Sequence, residues 1–451
     1  MSNKIFMYGD QHTADILQTD VPKVILFGGY LGYNNFGDIL QLKEAIKFHE
    51  SVTKLTPVVI CHINSIPDDY FQHRLRNWFN AAAFIFVHDH PMNNLEMLNL
   101  CLVEKSFPIK NMHLYGGGFL NRYWGEYFLK LVEGLIQNFK VDNYVISGQQ
   151  VDAALKSRLA SHFQKCKPCL IGARDYESQA IINSCGFKCE FSFDDASNII
   201  DAWGLRKPHD QTAGPQQPIF IHLNTSKYTC NSTEENKKEL DRLKQVLKTL
   251  SETFAQHEPV VLNAYSEYRA SVKDSLSSIV SLEDSFPFNN YRVIDIAHLA
   301  LLHDPMCKDA DSDLVGFGRG VAFSSSYHTA VFCNMLKTPC YMISENDYYN
   351  QKREGLGEAR TLEQFLSDPS ALSFGSLMDQ RDDWLKKLDM FFRNVDRRST
   401  GKHISFDYDL AAYVPESFRY KEYNSVKIAE ASKPTIFSSV ASRLRQVLSV
   451  K

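Results

Sequence analysis

His328 lies in the run VAFSSSYHTAVFCNMLKTPCYMIS, Val321 to Ser344, where a β-branched strand pattern gives way to three serines and then a helix. An imidazole at a helix N-terminus can act as general acid or base near neutral pH, although a lone histidine is also a common buried side chain. Ser325, Ser326 and Tyr327 place hydroxyls beside it. Arg174 ends the apolar run LIGA, where its planar fork can grip a carboxylate or phosphate, or pair with Asp175. Lys352, in ENDYYNQKREGLG with Tyr349, offers a second cation.

Two glycine-rich loops face the same way. GGYLGYNNFGD, Gly28 to Asp38, precedes a helix expected from about Ile39, so its backbone can approach an anion or a sugar hydroxyl. Asn35, Gly37 and Asp38 belong to that approach, with Asp38 either capping the helix or facing a cleft. The spacing is not a dinucleotide fingerprint. YGGGFLNRYWG carries Gly116, Gly117 and Gly118, and three successive glycines cost backbone entropy unless a ligand or an unusual turn needs them. Gln149 in SGQQV adds a hydrogen-bonding wall, and Asp194 and Asp195 close a later strand, to touch hydroxyls or to cap.

The elements that hold these residues alternate. Short β-branched or aromatic runs at Val24–Gly28, Val58–His62, Phe84–Val87, Met112–Tyr115, Tyr144–Ser147 and Leu170–Ala173 are separated by segments with apolar residues at three and four. A second series starts at Ile219–Leu223 and continues through Val260–Ala264, Val321–Ser324 and Cys340–Ile343. The expected fold is α/β, with two doubly wound Rossmann-like domains facing across a cleft. The first covers 1–205 and the second 219–395, with a Pro, Gly and Gln linker at 206–218 and an extension at 396–451. Phe437, Val440, Leu444 and Leu448 share one helical face of that extension beside Arg443, Arg445 and Lys451, as a docking helix or an interfacial membrane helix would.

Composition excludes several classes. A length of 451 residues with 44% hydrophobic and 12% aromatic content excludes a disordered chain. The formal net charge of −4 and the lack of basic blocks exclude a nucleic-acid binder. The N-terminus lacks a signal layout and no apolar run reaches the ~18 residues of a span, so a cytoplasmic body is expected. The ten cysteines then read as thiols, with Cys166, Cys169, Cys185 and Cys189 spaced either as separate thiols or as a structural zinc site.

NNFGD, GGGFL, SGQQV, ARD, DDA, SYHTAVFCNMLKTP and YYNQKREGLG, in this order over Gly28 to Gly357, resemble the polysaccharide pyruvyl transferase family. The resemblance implies a glycosyltransferase-B-like fold and transfer of an enolpyruvyl unit from phosphoenolpyruvate to a sugar, closing a pyruvate ketal. No cofactor is implied beyond that donor substrate. The acceptor would be a sugar of a surface polysaccharide or a lipid-linked precursor, made in a bacterium at the inner membrane face. His328 matches the family's acid/base histidine, and Arg174 an arginine that holds the donor's anionic end. Relatives carry Arg where this chain has Ser326, and Arg319 or Lys352 are the candidates to replace it. That departure keeps two alternatives: a sugar-nucleotide-dependent glycosyltransferase of the same fold, and a non-catalytic glycan-binding relative.

Overall fold

The β-branched runs pair into two sheets. The computed structural model describes residues 6–29, 35–62, 75–88, 98–100, 108–205, 216–226, 232–265, 275–282, 285–288, 290–302, 316–344 and 346–396. Within the first domain lie β1 (Phe6–Gly9), β2 (Lys23–Phe27), β3 (Thr56–His62), β4 (Ala83–His88), β5 (Leu98–Asn99), β6 (Asn111–Leu114), β7 (Gly117–Leu120), β8 (Asn143–Val151), β9 (Leu170–Ala173) and β10 (Glu190–Phe191). Among the described residues their order is β10-β9-β8-β6-β2-β3-β4-β1-β5, with β7 beside β8. All neighbours run parallel except β1, which is antiparallel to β4 and β5. The second domain adds β11 (Pro218–His222), β12 (Glu258–Asn263), β13 (Arg292–Asp295), β14 (Val321–Ser324) and β15 (Cys340–Met342). They form a wholly parallel sheet ordered β13-β12-β11-β14-β15.

Strand order reverses between β2 and β6 in one sheet and between β11 and β14 in the other. Doubly wound folds bind ligands outside the strand carboxyl ends at such reversals. The central strands KVILF and PIFIH are buried throughout, as strands covered on both faces must be.

The two carboxyl ends face each other. The backbone N–H of Phe36, just after the glycine loop that follows β2, donates to Ala264 O beyond β12 at 2.8 Å, and Asn35 bridges to Tyr265. Beside these bonds the Phe36 ring lies 5.1 Å from Phe332 and 6.3 Å from Trp203, and Trp203 lies 5.4 Å from Phe332. An apolar seam of this kind resists relative motion of the domains. The glycosyltransferase-B-like layout expected from the sequence is therefore present, with its cleft between opposed sheet ends.

Several boundaries differ from expectation. The helix expected from Ile39 begins at Phe36, because Asn35 caps it by accepting from the backbone N–H of Gly37 and Asp38. Strand β8 runs past Ser147 to Val151 and so carries Gln149 and Gln150. The helix Gly375–Asp396, assigned from sequence to the second domain, crosses back to the first. Its buried stripe of Trp384, Leu388 and Phe392 drives this return, and Arg381 and Lys387 pair with Asp195 and Glu190 of the first domain. Most of the linker, 206–215, and the extension from 397 onward lie outside the described residues. No helix among the described residues is long and apolar enough to cross a membrane.

Candidate functional site

Both domains contribute to one buried cluster. Arg174 immediately follows β9 and is 1% exposed, stacked 3.9 Å above the ring of Tyr327 from the second domain. Asp194 follows β10 and accepts from Arg174 at 3.3 Å. His328, in the first turn of the helix Tyr327–Met335, brings Nε2 to 3.2 Å from the same Asp194 oxygen. Gln41, on the helix Phe36–Phe48, donates to Asp194 at 3.1 Å and lies 3.1 Å from His328 Nε2. Burial raises the Asp194 carboxyl, but His328 and Arg174 beside it outweigh that and hold it well below the usual carboxylate range.

The imidazole keeps 14% of its side-chain surface accessible, so the cluster opens to the cleft through His328. Nε2 is held by Asp194, and Nδ1 lies against Gly37. Gly37 makes room for it, since a Cβ there would collide with the ring. Across the cluster, a Cβ on Gly118 would lie 3.5 Å from Lys352 Cε and 3.6 Å from an Arg174 terminal nitrogen. Gln150 Oε1, which binds Arg174, lies nearest to that point at 3.2 Å, so Gly118 is flanked by a glutamine and two cations.

Lys352 donates to the Tyr348 hydroxyl at 2.7 Å. Burial pushes its ammonium down to about 7, with Arg174 adding to the push, against the pull of Asp38 and Asp194. Burial likewise raises Asp38 to about 7, against the field of Lys352. The cleft thus holds a lysine and a carboxyl that both change charge near neutrality. Arg174 Nε, Gln150 Nε2, Gln41 Oε1, Ser325 Oγ and the Tyr327 hydroxyl are buried without a protein partner. Folded proteins rarely leave so many polar atoms unmatched in one place, and a polar ligand or water accounts for them.

The structure gathers His328, Arg174, Asp38, Lys352, Gly37 and Gly118 in this way, with the Ser325 backbone N–H bonded to His222 O at 3.0 Å beneath them. Ser326 is the N-terminal flanking residue of the His328 helix, half-buried and without a side-chain cap bond. Other expectations are corrected. Arg319 is exposed and precedes β14, so it stands at the amino end of that strand, the end opposite His328. Tyr327 supports Arg174 from below. Asp195 is used inside the fold, accepting from the Gly116 N–H and Ser147 hydroxyl at 2.6 Å each and pairing with Arg381. Gln149 is fully buried, its amide nitrogen donating to the Tyr115 and Ser147 carbonyls. Gly116 packs on Gln41, and Gly117 sits at φ 137°, which a side chain would not tolerate. Asn35 spends its side chain on the cap described above. Asp175 caps the next helix through Ser178 N, leaving Arg174 to Asp194.

Gln41 and Gln150, which binds Arg174, are absent from the sequence-based site, and Asp194, expected to touch hydroxyls or to cap, caps Ala196 and also holds His328 and Arg174. The zinc spacing does not gather: Cys169 is exposed, Cys185 bonds backbone carbonyls, and Cys189 is buried. Cys166 instead joins Glu133 and His162, among the described residues the one group close enough to share an ion. Glu133 is already neutralised there by Arg158 at 2.7 Å and Lys165 at 2.9 Å.

No sequence-defined family and no curated protein matches the chain. Among solved structures it is similar to a protein assigned as a UDP-N-acetylglucosamine 2-epimerase from Listeria monocytogenes, at 9% identity and TM-score 0.43, over 84% of this chain and 98% of that one. It is also similar to an α,α-trehalose 6-phosphate synthase from Burkholderia multivorans, at 11% identity and TM-score 0.34, over 85% of this chain and 100% of that one. A family 9 glycosyltransferase from Veillonella parvula aligns at 9% identity and TM-score 0.25, over 82% of this chain and 99% of that one.

Proposed function

We propose that this chain is a pyruvyl transferase that moves an enolpyruvyl unit from phosphoenolpyruvate to a sugar and closes a pyruvate ketal. The observation that carries the reading is the meeting of His328 with Asp194 and Arg174 across the domain boundary, beside Lys352 and Gly118. A donor with a carboxylate and a phosphate suits two neighbouring cations. Lys352, at the carboxyl ends of the strands, takes the place of the arginine that Ser326 replaces.

In the proposed reaction the methylene carbon of the donor gains a proton and the adjacent carbon becomes oxocarbenium-like. A sugar hydroxyl adds to it while His328 handles the proton, and Asp194 holds the ring in place. Phosphate leaves with the electrons of its C–O bond, and a second hydroxyl closes the ketal. Of the two hydroxyl protons, one ends on the new methyl group and the other on phosphate.

Thermal shifts with phosphoenolpyruvate and with a panel of nucleoside diphosphates and sugar nucleotides test this reading. Stabilisation by phosphoenolpyruvate that is lost in Lys352→Met and kept in His328→Ala is expected. Stabilisation by a nucleotide alone would replace pyruvyl transfer with glycosyl transfer. Stabilisation by neither would leave a glycan-binding module.

A further inference from the structure

Beyond the cluster, aromatic side chains of both domains meet at the rim of the cleft. Tyr123 and Trp124 come from the first domain and Tyr348 from the second, with ring centroids 6.1 Å apart for each pair across the boundary and crossed at 73° and 81°. Trp124 is 38% exposed and Tyr127, one turn on, is 40% exposed. Contiguous exposed apolar surface, unlike a single exposed side chain, marks interaction sites.

The rim is tied to the anion space. The Asn121 side chain donates to Gly118 O at 2.6 Å and accepts from the backbone N–H of Tyr123 and Trp124 at 2.8 and 3.1 Å. One rigid turn therefore runs from the glycine beside Arg174 to the two rings. On the other side Tyr348 receives the Lys352 ammonium, 4.1 Å from its ring centroid. A molecule reacting over Gly118 would extend onto these rings.

We infer that Tyr123, Trp124 and Tyr348 form a stacking platform for a neutral sugar unit of the acceptor, one unit away from the reacting one. This inference rests on the proposed transfer to a glycan. The charges around the platform decide its occupant. Lys352, against Tyr348, is taken up by the donor in the proposed reaction, Arg122 is paired with Asp152 at 2.8 Å and Lys130 with Glu126 at 3.2 Å, so among the described residues no further cation beside these is left for an anion. A polyphosphate-bearing ligand would want them unpaired, whereas a pyranose needs an aromatic face for its C–H groups and neutral donors and acceptors around it.

Tryptophan fluorescence reads the platform directly. Of the four tryptophans, Trp203 and Trp384 are buried and Trp78 is half-buried, so Trp124 dominates the solvent-sensitive signal. A printed array of defined neutral oligosaccharides would first select a ligand, which is then titrated into the wild type by fluorescence and into the wild type and Trp124→Ala by calorimetry. The expected result is a blue shift on binding in the wild type and at least tenfold weaker binding in Trp124→Ala. Phosphoenolpyruvate stabilisation is followed in parallel and should be unchanged by Trp124→Ala. Equal glycan affinity in wild type and Trp124→Ala would overturn the platform, as would a wild type that binds no array glycan. A fluorescence response to uridine or adenosine instead would overturn it in favour of a nucleobase. Loss of the phosphoenolpyruvate response in the wild type would count against the transfer reading instead.

Discussion

One oxygen of Asp194 lies 3.2 Å from Nε2 of His328 and 3.3 Å from a terminal nitrogen of Arg174. A single carboxylate thus orients the imidazole of one domain and neutralises the buried guanidinium of the other. This links the chemistry of the cleft to the stability of the domain boundary.

Replacing the carboxylate by an amide separates these roles. Asp194→Asn keeps the shape but removes the carboxylate bonded to the buried Arg174, leaving only the more distant field of Asp175, and losing one partner of a buried pair costs about 3–5 kcal/mol. Urea denaturation near neutral pH should give a loss in that range. The sign with pH follows from the depressed Asp194 carboxyl: its stabilisation is present above the unfolded value of 3.8 and is lost as pH falls through the folded one. The variant should therefore have a flatter acid limb than the wild type. A cost below about 1 kcal/mol would mean that Arg174 is compensated elsewhere.

Anion binding should follow the charge of Lys352 and Asp38. Below about 7 the lysine is charged and the carboxyl neutral; above it the lysine loses its charge and the carboxyl gains one. Both changes weaken a bound anion, so phosphoenolpyruvate affinity should fall as pH rises through neutrality. Lys352→Arg fixes the cation, and adding Asp38→Asn fixes the other charge. Calorimetric titration of wild type and double variant at several pH values checks this, because the ligand's own titration is common to both. A double variant as steep as the wild type would remove both residues from the anion site.

The sequence disclosed the sheets better than the site. Strands β9 and β14 fall at their expected residues, since β-branched and aromatic runs are local signals. The return of the helix Gly375–Asp396 was not legible, because its apolar stripe fits either domain equally well. Asp194 and Asp195 are chemically identical neighbours, and a strand-end turn decides which one faces the other domain. That turn has Phe193 at φ 54°, a left-handed conformation unusual for an aromatic residue and invisible to propensity. Gln41 carries no motif at all and enters the site only because its helix leans across the boundary.

Tyr327 offers a test of what holds Arg174 in place. Its ring lies 3.9 Å below the guanidinium and its hydroxyl is buried without a protein partner. Tyr327→Phe keeps the ring and removes an unmatched polar group, so its stability should equal or exceed that of the wild type. Tyr327→Leu removes the cation–π face, worth about 2 kcal/mol for a desolvated pair, and should weaken phosphoenolpyruvate binding by roughly tenfold or more. Thermal melts with and without ligand compare the three proteins. A Phe variant as impaired as the Leu variant would assign the effect to the hydroxyl.

Gly37 tests whether the position of His328 matters apart from its identity. A Cβ at residue 37 would collide with the imidazole, and the backbone there is compatible with alanine, so the strain falls on the histidine or on the domain boundary. Misplacing a catalytic group by about 1 Å can cost roughly 10²-fold in rate. Gly37→Ala should therefore lose at least that much transfer activity while keeping stabilisation by phosphoenolpyruvate, whose cations lie on the Gly118 side of the cluster. Gly375→Ala, where a Cβ meets nothing within 4 Å, serves as the matched control. If Gly37→Ala transfers as fast as this control, the imidazole has freedom to move, and proton transfer does not depend on its contact with Asp194.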